Sequence, residues 1–216
     1  DRDWKEAYKD HFHPWSLGSL HWAPEWARGH YVVPEGHKTL FLDPGMAFGT
    51  GLHETTRLCL GAIMRFAEKC EVEDRCCIDA GCGSGILALS AKLLGFGEVR
   101  GFDVDPDVVR ISIENAEANN LASITSFRVD DLDGGLPAES VDLLLANVQA
   151  DVLCANVLSL LYAVRPCGML ALSGILTSEA NETAEVFRRR ARKAGLQVSL
   201  QRKDEGDWSV LILERE

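Results

Sequence analysis

The 216-residue chain has no apolar run long enough to span a membrane, and no signal-peptide pattern opens it. A helical membrane protein is therefore not the expectation. None of its seven cysteines stands in C-x-x-C spacing, so zinc ribbons and thioredoxin-like redox sites find no support. Cys76, Cys77 and Cys82 fall on or beside an apolar run, where cysteine serves as a small core residue. That usage suits a reducing cytoplasm. Histidine is missing after His53. His11 and His13 could share a metal, but no acidic or cysteine partner stands near them at ligand spacing, so no metal site is expected. An excess of positive charge is also lacking: 22 Lys and Arg face 33 Asp and Glu, a formal net charge of −11. Such a surface repels a phosphate backbone, so direct nucleic-acid binding is not expected, and a small molecule or a basic protein is the fitting partner. The one dense basic run, Arg188-Arg189-Arg190-Ala191-Arg192-Lys193, ends a predicted helix, where cations complement the helix dipole.

No repeat or low-complexity linker divides the chain. Residues 1–43, rich in Trp, His and Pro, read as a linker segment covering one side of a larger domain, residues 44–216. In the segment, 3–9 fits a short helix, and 31–33 and 39–42 fit short strands. A Gly-rich loop follows at 44–51, then a helix over 54–69. From Arg75 strands and helices alternate: strand 76–78, helix 86–94, strand 98–102, helix 106–119, strand 124–129, strand 141–145, helix 150–163, strand 169–172, helix 179–194. Pro106 suits a first helical turn, where its missing N–H is not needed. The run 141–145 is almost wholly apolar, as the centre of a parallel sheet requires. The rhythm then breaks. Strands 197–201 and 208–213 are joined by too few residues for a crossover helix, so they form an antiparallel hairpin. The expectation is an α/β fold: a seven-stranded, mostly parallel sheet with helices on both faces and a C-terminal antiparallel hairpin.

The sharpest motif is Asp79-Ala80-Gly81-Cys82-Gly83-Ser84-Gly85, between a strand and its helix. Open α/β sheets bind ligands at the carboxyl ends of their strands, and glycines such as Gly81 and Gly83 let a ligand approach bare backbone. Gly83-Ser84-Gly85-Ile86-Leu87-Ala88 formally fits a dinucleotide fingerprint, with Asp103 twenty residues on. Asp79 discriminates between the two ligands that could use the turn. Its carboxylate would repel the pyrophosphate of NAD, and with it an NAD-binding oxidoreductase. It would attract S-adenosylmethionine, which carries an ammonium and a sulfonium and no phosphate. Asp103 ends the second strand, where a carboxylate can accept both ribose hydroxyls. Asp131 follows the third and can accept from the adenine amino group. Asn147 ends the fourth, either as a neutral acceptor for an incoming amine or as a cap for the following helix.

The segment Asp79 to Leu87 resembles the first motif of class I methyltransferases. Pro44-Gly45-Met46-Ala47-Phe48-Gly49-Thr50-Gly51-Leu52-His53-Glu54-Thr55-Thr56 is more specific. With Ala146-Asn147-Val148-Gln149-Ala150 and Ser173-Gly174-Ile175-Leu176, it resembles the bacterial ribosomal protein L-eleven methyltransferases (PrmA), over nearly the whole chain. The resemblance implies a Rossmann-like fold and S-adenosyl-L-methionine as cofactor. It also implies methyl transfer to lysine side chains and the N-terminal amine of a ribosomal protein, a different protein lysine being the alternative. It implies cofactor contacts from Thr56, Gly81, Asp103 and Asn147, and a cover from Phe48. The family carries a small substrate-docking domain before the catalytic one. Because the chain starts at Asp1, close to what resembles the connecting segment, such a module is expected upstream.

Overall fold

The computed structural model describes residues 13–42 and 53–216. A small sheet comes first: β1 (Trp15–Leu17), β2 (Leu20–Pro24) and β3 (Lys38–Leu42), with β1 antiparallel and β3 parallel to β2. Helix α1 (Glu54–Lys69) leads into the main sheet. Then follow β4 (Cys76–Ala80), α2 (Ile86–Leu94), β5 (Glu98–Asp103), α3 (Pro106–Ala118), β6 (Ser126–Val129) and β7 (Val141–Asn147). Two short helices, α4 (Ala150–Ala155) and α5 (Val157–Ala163), precede β8 (Val164–Leu176) and α6 (Ala180–Lys193). The hairpin β9 (Val198–Glu205) and β10 (Trp208–Arg215) closes the chain. The seven-stranded sheet has the order β6-β5-β4-β7-β8-β10-β9, parallel from β6 to β8 and antiparallel at β10 and β9. The expected fold class is the one observed.

Strand alternation divides the core into two layers. Cys77, Leu143, Leu145, Met169 and Ala171 face α1 and α2; Ile78, Leu144, Leu170 and Leu172 face α4, α5 and α6. Burial on both faces explains why β7 reads as a nearly continuous apolar run. Its exception, Asp142, is buried but accepts from the Cys76 N–H (2.8 Å) and pairs with Arg75 and Arg165 (3.2 and 3.0 Å). A buried carboxylate is tolerated when it is hydrogen-bonded and paired in this way.

Several local expectations are corrected. Residues 31–33 are not a strand: Val32 is 86% exposed, and the Tyr31 N–H donates to Ala27 O in a local turn (2.9 Å). The strands of this region lie earlier, at β1 and β2. Trp22 is fully buried there, stacks on Trp15 with ring centroids 4.2 Å apart, and donates to Ser90 Oγ at 2.9 Å. Leu20, Trp22, Leu40 and Leu42 thereby join the α1–α2 layer of the core. The helix expected over 150–163 breaks at Asn156, whose side-chain amide donates to Val152 O at 2.9 Å and competes with the helical ladder. The strand expected over 169–172 is much longer, at 13 residues, and the one expected over 124–129 is shorter, at four. The helix expected at 3–9 lies outside the described residues.

Candidate active site

The direction in which successive strands are added to the sheet reverses between the parallel neighbours β4 and β7: one side of the sheet is built from β5 and β6, the other from β8 onward. Helices leave opposite faces at this point and open a crevice at the carboxyl ends of the strands. The turn after β4 lines it. Gly81 has φ +76°, and a Cβ there would stand 2.6 Å from Val148 Cγ1, so neither the backbone conformation nor the space admits a side chain. The N–H groups of Gly81 and Cys82 both donate to Phe102 O (2.8 and 2.9 Å), which ties the turn to the end of β5.

A cavity of about 420 Å³ occupies the crevice. Five of the residues expected at a cofactor site line it: Gly81, Gly83, Asp103, Asp131 and Asn147. Asp103 Oδ2 accepts from Gly83 N–H and Oδ1 from Asp105 N–H, each at 3.2 Å; these long bonds leave lone pairs on both oxygens. Asp131 Oδ1 holds the following turn through Asp133 N–H (3.0 Å) and Gly134 N–H (2.8 Å), leaving Oδ2 for a ligand. Asp130, unanticipated from sequence, adds a third carboxylate, which Arg128 pairs at 2.9 Å. Val104, Val108, Leu132 and Val152 supply apolar walls. Among the described residues lining the cavity there is no Lys, Arg or His. Acids without cations are a poor match for a pyrophosphate and a good one for a cationic ligand with an apolar planar part.

Asp79 lies behind this wall rather than in it. It is fully buried; Oδ2 accepts from Ala88 N–H at 3.2 Å, and Oδ1 has no partner among the described residues. Burial, partly offset by the Ala88 bond and reinforced by Asp103, raises its pKa to about 7. Thr56 is also buried and outside the cavity wall. Its neighbour Thr55 bonds Asn147, a lining residue: Asn147 Nδ2 donates to Thr55 Oγ1 at 3.3 Å. Both threonines are buried, and the T-T pair offered no signal as to which would bond Asn147. His53 caps α1, accepting from Thr55 N–H at 3.3 Å, and its Nδ1 lies 2.9 Å from Thr55 Oγ1. Asn147 therefore anchors to α1 and does not cap the next helix, whose N-cap is Gln149. Phe48 and the Gly-rich loop 44–51 lie outside the described residues.

The family model described as ribosomal protein L11 methyltransferase (PrmA) matches residues 1–216. A curated ribosomal protein L11 methyltransferase of Pseudomonas paraeruginosa is 41% identical over 189 residues, and one of Pasteurella multocida is 38% identical over 189. Each match covers 87% of this chain and 61% of the relative, so the chain spans less than two thirds of the relatives' length. Among solved structures, a ribosomal protein L11 methylase from Lactobacillus delbrueckii subsp. bulgaricus superposes with a TM-score of 0.79 at 26% identity, covering 95% of this chain and 100% of that one.

Proposed function

The chain belongs to the ribosomal protein L11 methyltransferase (PrmA) family, and from that premise we propose that it moves methyl groups from S-adenosyl-L-methionine to lysine side chains and the N-terminal amine of ribosomal protein L11. The observation that carries the reading is the cavity at the reversal of the strand order, lined by Asp103, Asp130 and Asp131 and, among the described residues, by no cation, beside a turn that admits only glycine.

The residues present fit the cofactor. Gly81 and Gly83 offer backbone without side chains, Asp103 offers lone pairs to a pair of hydroxyls, and the valines and Leu132 offer a slot for a flat ring. The unpartnered oxygen of Asp79 adds negative potential under the turn. The bound cofactor would supply a methyl group on a positively charged sulfur, open to in-line attack. What the chain supplies is mainly position, which can be worth about 7–11 kcal/mol.

The acceptor nitrogen must be neutral to attack. For a lysine that costs about 4–5 kcal/mol at neutral pH, and desolvation beside a cation reduces the cost. Asn147 suits this need. Its Nδ2 is committed to Thr55, which leaves Oδ1 to accept from the incoming amine. An uncharged acceptor orients the lone pair without retaining the proton, as a carboxylate would. The net charge of −11 favours a basic protein as substrate, and a ribosomal substrate places the reaction in the cytoplasm.

The test is calorimetry with S-adenosylmethionine, its demethylated product and NAD, followed by mass spectrometry of purified ribosomal protein L11 after incubation. Binding of the first two, none of NAD, and mass gains of about 14 Da per transferred methyl, the net gain of one CH₂ when CH₃ replaces H, are expected. NAD binding alone would overturn the cofactor. Cofactor binding without any mass gain, with methylation of another protein instead, would overturn the substrate.

A further inference from the structure

A second recess, of about 410 Å³, lies on the other side of the strand-end segment from the cofactor cavity. Its walls include Asp151, Glu179 and Trp208, and Gln149 lines both spaces. The partition between them is thin. A Cβ on Gly174, whose φ is +80°, would stand 2.5 Å from Val148 O, so the end of β8 presses directly on the backbone of 148. Asn147, on the cofactor side, precedes that segment by one residue.

The recess has an electrostatic character of its own. Asp151 and Glu179 are exposed, and each uses one oxygen locally: Asp151 Oδ1 accepts from Val152 N–H at 2.8 Å and Glu179 Oε2 from Leu176 N–H at 3.3 Å. The second oxygen of each remains for a ligand. Trp208 is braced edge-on by His53, ring centroids 5.0 Å apart, and His53 in turn contacts the Thr55 hydroxyl that holds Asn147. Two carboxylates and an indole around one recess form a set that attracts a primary ammonium, through charge and through the ring's quadrupole. In-line displacement also requires the acceptor to come from a side other than the one the cofactor fills, and the recess is a separate space that shares Gln149 with the cofactor cavity.

We propose that this recess receives the acceptor amine as an ammonium, held by Asp151, Glu179 and Trp208, before it passes Gln149 and reaches Asn147 as the neutral amine. The inference rests on the cofactor reading above. It divides the work: charged groups at the mouth gather the substrate, and a neutral amide at the throat accepts it after its proton has left to solvent. The free lone pair then forms the N–C bond as the S–C bond breaks. Carboxylates at the throat would hold the proton; at the mouth they do not obstruct the chemistry.

The experiment uses the full chain saturated with S-adenosylhomocysteine, with that binding confirmed by calorimetry. The indole N–H signal of Trp208, assigned by its loss in Trp208→Phe, is followed while n-butylammonium chloride or the neutral isostere 1-butanol is added. A saturable shift with n-butylammonium and none with 1-butanol is expected. The double variant Asp151→Asn, Glu179→Gln retains the oxygens that accept from Val152 and Leu176 and should weaken n-butylammonium at least fivefold. On ribosomal protein L11 the same variant should raise KM about tenfold and leave kcat within twofold. Normal cofactor heat without a saturable shift, or equal n-butylammonium affinity in the double variant, overturns the inference alone. A chain that gives no heat with S-adenosylhomocysteine overturns the cofactor reading, and the inference falls with it.

Discussion

Replacing Asp79 by Asn should stabilise the ligand-free protein at alkaline pH while weakening its hold on the cofactor. The carboxyl is fully buried, with one oxygen unpartnered among the described residues, and its pKa stands at about 7 against the usual 3.8. Between those values the unfolded chain has released the proton and the folded chain still holds it. The folded state therefore binds more protons, and stability falls as pH rises through that window, levelling off above it. A displacement of about three units corresponds to about 4 kcal/mol lost by pH 8. Asn does not titrate, so it escapes this loss, but it places an amide N–H where the unpartnered oxygen sits, at a cost of about 1–3 kcal/mol. The net gain at pH 8 is then about 1–3 kcal/mol, or roughly 3–10 °C in Tm for a domain of this size. The amide cost is the same at every pH. The variant's advantage should therefore widen by about 2–3 kcal/mol between pH 5 and pH 8, whatever that cost is. Thermal unfolding of both proteins across this range, with and without S-adenosylhomocysteine, is the assay. The ligand should raise the Tm of the parent more than that of the variant, because only the parent can carry a negative charge behind the wall that faces the ligand's ammonium. A Tm difference that stays constant from pH 5 to pH 8 would refute the reasoning.

Three further outcomes follow from the same geometry. Asp103→Ala removes an acceptor from the cavity wall and should weaken S-adenosylmethionine by about 1.5–3 kcal/mol, the range for hydrogen bonds to a charged group, measured by calorimetry. Thr55→Val removes the hydroxyl that positions Asn147; kcat should fall while cofactor Kd stays within about twofold (well under 1 kcal/mol), which steady-state kinetics and calorimetry together resolve. Trp22→Ala empties a fully buried site between the small sheet and α2 and should cost about 3–5 kcal/mol in urea unfolding.

How much of this was legible in the chain depends on the range of the signal. The alternation from Arg75 onward, the apolar centre at β7 and the final hairpin are written in period and spacing, and the sheet follows them strand for strand. The carboxylates were legible for the same reason: a polar residue ending an apolar run sits at a strand end, and in a parallel sheet those ends converge. What escaped depended on contacts between distant residues. β1 and β2 are three and five residues long and owe their place to Trp22 packing under Ser90, which no local pattern announces. Burial separates Asp79 from the other acids: period 2 puts its side chain on the face toward α1 and α2, while Asp103 and Asp131 reach the cavity. Thr55 and Thr56 are both buried, and which of them bonds Asn147 is a helical rotation fixed by tertiary contacts, so identical neighbours cannot be told apart by type.

The closing hairpin has a consequence for the site that a seventh parallel strand would not have. In a parallel crossover the strand beside β8 would bring its carboxyl end to the crevice and its amino end to the far side of the sheet. Because β10 runs antiparallel, its first residue meets the last residues of β8: Trp208 is paired with Leu176. The turn Gly206-Asp207 ahead of it thus comes to the same edge as the start of α1. Gly206 approaches Glu54, and Arg57 pairs with Glu205 at 2.6 Å, so α1 is clamped to the hairpin at its first two turns. Those turns carry Thr55. The hairpin therefore sets both the aromatic wall of the outer recess and, through α1, the hydroxyl that orients Asn147. Shifting the β8–β10 register by one residue, with the hairpin moving as a unit, would turn Trp208 to the opposite face of the sheet and displace Glu205 from Arg57. Both the recess and the amide would lose their supports together, although neither β9 nor β10 contributes a residue to the cofactor cavity.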